Sequence, residues 1–202
     1  MLEILMRSRA EVAVLGVVLF SESLHLREIA RRAGVSPSEA KRELWSLSSL
    51  GIVGKRAKGN RVLYSPNARN ALLPELKRLY LKTESVIPGL AKALKRVKGI
   101  DYALVYGSAA SGAFTEKSDI DILLIGGFRK EVVEKICFDA QLKTQYELNY
   151  FMWDRKKFGK KLDARGAFVS SILARPKIWL VGDEDEFERN AEEARDRKNR
   201  GG

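Results

Sequence analysis

Apolar positions in the first third of the chain recur with a helical period. SRAEVAVLGVVLF, residues 8 to 20, carries one such stripe. LHLREIARRAGVS follows, with Leu26, Ile29, Ala30 and Ala33 at helical spacing, Gly34 as the stop and His25 as the residue that caps the start. Ser36-Pro37-Ser38-Glu39 then opens a further helix as a capping box, with proline at the first helical position. Its inward positions are Ala40, Leu44, Leu47 and Leu50, and its opposite face carries Ser38, Lys41, Arg42 and Trp45. Next the period changes to that of strands. IVGKRAK and RVLYS flank Gly59-Asn60, a hairpin turn signal. A helix is expected over Asn70 to Thr83, a linker or helix break at TESVIPG, and an amphipathic helix at LAKALKRVKG.

Beyond that point the pattern is of strands alternating with other elements. DYALVYG reads as a strand ending at Gly107, DIDILLIG as a second, and TQYELNYFMW (144 to 153) as a third. Asp154 caps an expected helix, followed by a loop and another helix. PKIWLV reads as a short strand before a polar terminal helix, with Trp179 and Phe187 as core residues and a frayed Gly-Gly end. The change of pattern divides the chain into two expected domains, 1–84 and 85–202.

Charge sharpens the first domain. The net charge is +11, which calls for a polyanionic partner. Residues 1 to 90 hold 15 Lys/Arg against 8 Asp/Glu. No acidic residue lies between Glu43 and Glu75, whereas Lys55, Arg56, Lys58, Arg61 and Arg69 all do. Cys137 is the single cysteine, which excludes an intrachain disulfide and fits a reducing, cytoplasmic setting. It sits among apolar neighbours and reads as core. The longest apolar stretch is too short to span a bilayer, so no membrane role is expected. Glutamine is scarce beside abundant Lys, Arg and Glu, a composition that leans toward a thermophilic source.

The chemistry concentrates in GSAASGAFTEKSDIDILLIG, residues 107 to 126. Asp119 and Asp121, two apart on a strand, project to one side while Ile120, Ile122 and Leu124 face the other. Two carboxylates so held suit a divalent cation, and oxygen ligands favour magnesium or manganese. Gly107 and Ser108 stand at a strand-to-helix turn, where backbone amides and a hydroxyl can hold a phosphate. A phosphate cradle beside a metal-binding pair is an arrangement for moving a nucleotidyl group.

At Gly107, Ser108, Asp119 and Asp121 the sequence resembles the minimal nucleotidyltransferases of the DNA polymerase β superfamily, over roughly residues 85 to 182. The resemblance implies a third carboxylate from a neighbouring strand. Glu147 and Asn149 share one face of that strand, and register decides between them. Glu147 would complete the catalytic and metal-binding set, whereas an amide cannot accept a proton. Many relatives carry an arginine shortly after Gly-Ser, where this chain has Ser111. Residues 7 to 67 resemble a winged helix-turn-helix domain of small archaeal and bacterial transcription regulators. That likeness implies double-stranded DNA met by Ser38, Lys41, Arg42 and Trp45, with phosphates neutralised by Lys55, Arg56, Lys58 and Arg61, and a homodimer paired through the Asn70–Thr83 helix.

The combined expectation is an α/β (α+β) protein: a winged helix followed by a nucleotidyltransferase domain with a small mixed sheet. Its expected function is transfer of NMP, AMP first, from ATP or another NTP to an acceptor such as a protein. Relatives often accompany a helical toxin partner as antitoxins. The alternative is a regulator or antitoxin that binds nucleotide without turnover.

Overall fold

The computed structural model describes residue 2 and residues 6–144, 146–163, 171–172 and 174–190. The chain divides into two compact units, Met1–Glu84 with Gly112–Lys117, and Ser85–Ser111 with Ser118–Gly202.

In the first unit, helices α1 (Arg9–Phe20), α2 (Leu26–Ala33) and α3 (Pro37–Ser49) pack on one another. Their starts follow from side chains that satisfy otherwise orphaned amides. Ser8 Oγ accepts the Glu11 N–H at 3.0 Å, and His25 Nδ1 accepts the Glu28 N–H at 3.3 Å. Ser36 and Glu39 form the reciprocal capping box, whose loss costs about 1 kcal/mol. Leu15, Leu19, Ile29, Ala40, Leu44 and Leu47 are buried between the helices. Leu50, expected inward, is instead 58% exposed. It stands at the C-cap, where the chain turns away at Gly51 (φ +69) and the helical period no longer applies. Two acids that the apolar pattern did not mark are also buried. Glu11 accepts from the Ser46 hydroxyl and the Arg7 amide, and Glu43 accepts from Ser8 and Arg42. Buried carboxylates need such partners.

β2 (Val53–Lys58) and β3 (Arg61–Pro66) form the expected hairpin, with Lys58 opposite Arg61 across Gly59-Asn60. Gly59 has φ +59, the left-handed geometry such tight turns require. A third strand, β1 (Leu24–His25), pairs antiparallel with β3 and gives the order β1-β3-β2. Two residues are too few for alternation to reveal. α4 (Leu73–Glu84) packs on α1 and buries Lys77 and Leu81. The segment Gly112–Lys117 also belongs to this unit: Phe114 is fully buried, edge-on to Phe20 at 5.6 Å.

The second unit begins with α5 (Ile87–Leu94). The IPG run read as a linker or break is its first turn, where proline loses no hydrogen bond. Then come β4 (Ile100–Tyr106), α6 (Ser108–Ser111), β5 (Ile120–Gly126), α7 (Lys130–Gln141), β6 (Leu148–Trp153), α8 (Arg155–Asp163) and β7 (Ile178–Val181). The strand order is β6-β5-β4-β7. β5 and β6 are parallel, and β4 is antiparallel to both β5 and β7, so the sheet is mixed. Tyr102, Leu104, Leu123, Ile125 and Trp153 join Phe158, Ile172 and Phe187 in a core cluster on one face. Ala103, Val105, Ile120, Ile122 and Leu124 have the opposite parity and are fully buried on the other. Asp154 Oδ1 accepts the Lys157 N–H at 2.6 Å and caps α8 as expected. The loop and helix expected after α8 fall partly outside the described residues, as does the Gly-Gly end.

α7 had no counterpart in the sequence reading, although Val133, Cys137 and Ala140 bury one stripe of it. Burial pushes the Cys137 thiol up to about 11, with Glu134 adding to the rise, so it is a core residue and not a nucleophile. Among the described residues no helix is long and apolar enough to cross a membrane.

Candidate functional site

Three strands of the second unit put side chains in one row. Tyr106 on β4 is opposite Asp121 on β5, and Asp121 is in register with Asn149 on β6. Partners in register project to the same face, so all three share a side of the sheet. The row lies where β4 ends and β5 and β6 begin. Asp119 precedes β5 with the same parity as Asp121. Asn149 Nδ2 donates to Asp119 Oδ2 at 3.1 Å, which ties the two strand ends together.

Gly107 supplies the space. It leaves β4 with φ +72, and a Cβ built there would lie 2.6 Å from Asp121 Oδ2. Any side chain at this position would be strained and would press on the carboxylate. The Ser111 N–H donates to Gly107 O at 3.1 Å, closing the turn that starts at Ser108. Ser111 donates its hydroxyl to Ser108 O at 3.2 Å.

Burial holds the Asp121 carboxyl above its ordinary value, the Asp119 charge adds to this, and the Asn149 amide opposes it. Burial also pushes the Tyr106 hydroxyl up to about 12, with the Asp121 charge second. Tyr106 escaped the sequence reading, although its place one residue before Gly107, with the parity of Tyr102 and Leu104, was a usable signal. Among the described residues neither aspartate has an ion-pair partner. Two unneutralised carboxylates, packed closely against the bare main chain at Gly107, form a hard-oxygen pair of the kind that suits a small divalent cation, and the Asn149 amide turns its N–H to them. The set has only two carboxylates: no cluster of three or more His, Cys, Asp or Glu suited to a metal exists among the described residues.

That result bears on Glu147. It lies just before β6, exposed, and its carbonyl accepts the Ile120 N–H at 2.8 Å. Asn149 stands in register with Asp121, and among the described residues no third acid clusters with the pair. Glu147→Gln should therefore slow nucleotidyl transfer less than about tenfold, against the 10²–10⁴ of a lost general base, as read by steady-state turnover. Asn149→Asp should tighten Mn²⁺ binding about tenfold by adding a third carboxylate, as read by calorimetric titration.

In the first unit Ser38, Lys41, Arg42 and Trp45 are all exposed on α3, Trp45 at 66%. Lys55, Arg56, Lys58 and Arg61 are exposed along the hairpin. Among the described residues these four and Lys41 form no ion pair, whereas Arg42 pairs with Glu43 at 2.7 Å.

A family model described as polymerase beta, nucleotidyltransferase, matches residues 89–162, which include Gly107, Ser108, Asp119, Asp121 and Asn149. A curated protein of Methanocaldococcus jannaschii, provisionally named a protein adenylyltransferase, is 33% identical over 103 residues, 48% of this chain and 98% of the relative. A crystal structure of a provisionally assigned nucleotidyltransferase from Sulfolobus solfataricus is 18% identical and covers 55% of this chain and 86% of its own. Its TM-score is 0.30. With the matched motif in place and a relative covered almost end to end, the chain belongs to the polymerase beta nucleotidyltransferase family and is an enzyme of that class.

Proposed function

We propose that the protein is a DNA-binding adenylyltransferase that moves AMP from ATP to a hydroxyl on a protein. The observation that carries the reading is the carboxylate pair Asp119–Asp121, which the missing side chain of Gly107 lets lie close against the main chain of the Gly-Ser turn. In the reaction an acceptor oxygen bonds to the α-phosphorus of ATP, the bond to the β-phosphate oxygen breaks, pyrophosphate leaves and the hydroxyl proton passes to solvent or a base. Gly107 and Ser108 would hold the triphosphate through the turn amides and the serine hydroxyl. Asp119 and Asp121 would hold Mg²⁺ or Mn²⁺, with the Asn149 amide fixing Asp119 through its hydrogen bond. A cation held there offsets the charge of the triphosphate and of the departing pyrophosphate. The name of the M. jannaschii relative supports a protein acceptor.

DNA binding is the second part of the proposal. The three helices, the order β1-β3-β2 and the exposed cationic hairpin support a winged helix-turn-helix reading of the first unit. In that reading α3 enters the major groove through Ser38, Lys41 and Trp45, and the hairpin lies along the phosphates.

Incubation with ATP labelled at the α-phosphate, Mg²⁺ or Mn²⁺ and candidate acceptor proteins tests the first part. Label should appear on protein with the wild type and be absent with Asp121→Ala. Label passing instead to RNA or DNA ends would replace the protein acceptor with a nucleic acid.

A further inference from the structure

The segment between the Gly-Ser turn and the carboxylate pair packs in the first unit, away in sequence from its own neighbours. Gly112 directly follows the last residue of α6, and only Ser118 separates Lys117 from Asp119. Between those ends Gly112–Lys117 is fastened repeatedly. The Glu116 N–H donates to Phe20 O at 2.8 Å, Arg32 pairs with Glu116 at 3.2 Å, and Lys117 pairs with Glu22. Gly112 has φ +83, and a Cβ there would fall 2.6 Å from Pro74 O at the start of α4.

The central tie is Lys77. It is 9% exposed, its Nζ donates to Phe114 O at 2.7 Å, and the Phe20 ring centroid lies 5.9 Å away. No carboxylate pairs with it among the described residues. Burying an ammonium is costly without compensation, and burial lowers its pKa. Methionine would fill the same volume without that cost. The hydrogen bond gives the lysine a reason to be there: its length and charge reach one carbonyl, at the middle of this segment.

We propose that Lys77 is a positioning residue, which fastens Phe114 and so holds in place the Gly112–Lys117 segment, from whose two ends the chain runs back to Ser108 and on to Asp119. The effect on nucleotide binding rests on the function proposed above, whereas the effect on the segment does not. Hydrogen–deuterium exchange on the full chain reads the second, and calorimetry with Mn²⁺ and a non-hydrolysable ATP analogue reads the first. In Lys77→Met, amides from Phe114 to Asp121 should exchange about tenfold faster while those of α2 and α3 stay unchanged, and analogue affinity should fall about tenfold. Glu116→Ala removes an exposed tie with little risk to folding, and should loosen the same amides if Lys77→Met fails to fold. Unchanged exchange across the segment in both variants overturns the proposal. So does faster exchange spread evenly through the unit, which would mark Lys77 as structural only. Local loosening with unchanged analogue affinity overturns the positioning role. If the wild type binds no analogue, the proposed function fails, and the exchange pattern alone decides whether Lys77 holds the segment.

Discussion

Asp121→Asn should abolish nucleotidyl transfer, by about a thousandfold or more, while leaving the protein folded. The amide preserves the shape of the carboxylate but removes half the charge that offsets a divalent cation. Stability should move the other way from activity. The folded state holds the Asp121 proton more tightly than the unfolded chain does, because burial and Asp119 both disfavour its ionised form. The stability linked to that proton is present below the ordinary aspartate range and is lost as pH rises through the higher folded value. Asp121→Asn cannot suffer that loss. In chelator its melting temperature should gain on the wild type as pH climbs from acid to neutral, and Mn²⁺ should raise the melting temperature of the wild type only. A variant that melts lower at neutral pH would mean that Asp121 is held by partners other than the ones described.

Replacing Lys55, Arg56, Lys58 and Arg61 together with alanine should weaken duplex DNA binding about a thousandfold near 0.1 M salt. Each lost phosphate contact should also reduce the slope of log affinity against log salt by about 0.9. All four side chains are exposed, so the melting temperature should barely change. Filter binding over a salt series checks both numbers. A fall in affinity with the slope unchanged would place the phosphate contacts elsewhere. Trp45→Ala makes a useful contrast, because a residue that reads base edges should lower specificity more than it alters the slope.

The elements governed by local chemistry were legible in the sequence. His25 and the Ser36–Glu39 box announced helix starts, and Gly59-Asn60 announced the hairpin, because caps and turns depend on residues a few positions apart. The carboxylate pair was legible for the same reason, as a two-residue period on a strand. What the sequence hid depends on pairing between distant segments. Whether Glu147 or Asn149 meets Asp121 is a matter of register between β5 and β6, and one strand alone contains no register. β1 exists only because β3 is beside it. The placement of Gly112–Lys117 in the first unit rests on Lys77 and Phe20, tens of residues away, and no pattern inside the segment signals it. α7 is a different case: exposed Phe138 and Leu142 blur a stripe that Val133, Cys137 and Ala140 would otherwise have drawn.

The most direct measurement is anomalous diffraction from crystals grown with Mn²⁺ and a non-hydrolysable ATP analogue. The account predicts a manganese peak within about 2.2 Å of carboxylate oxygens of both Asp119 and Asp121, with the triphosphate against Gly107 and Ser108. A nucleotide bound at another surface, or manganese that leaves either aspartate uncoordinated, would contradict it.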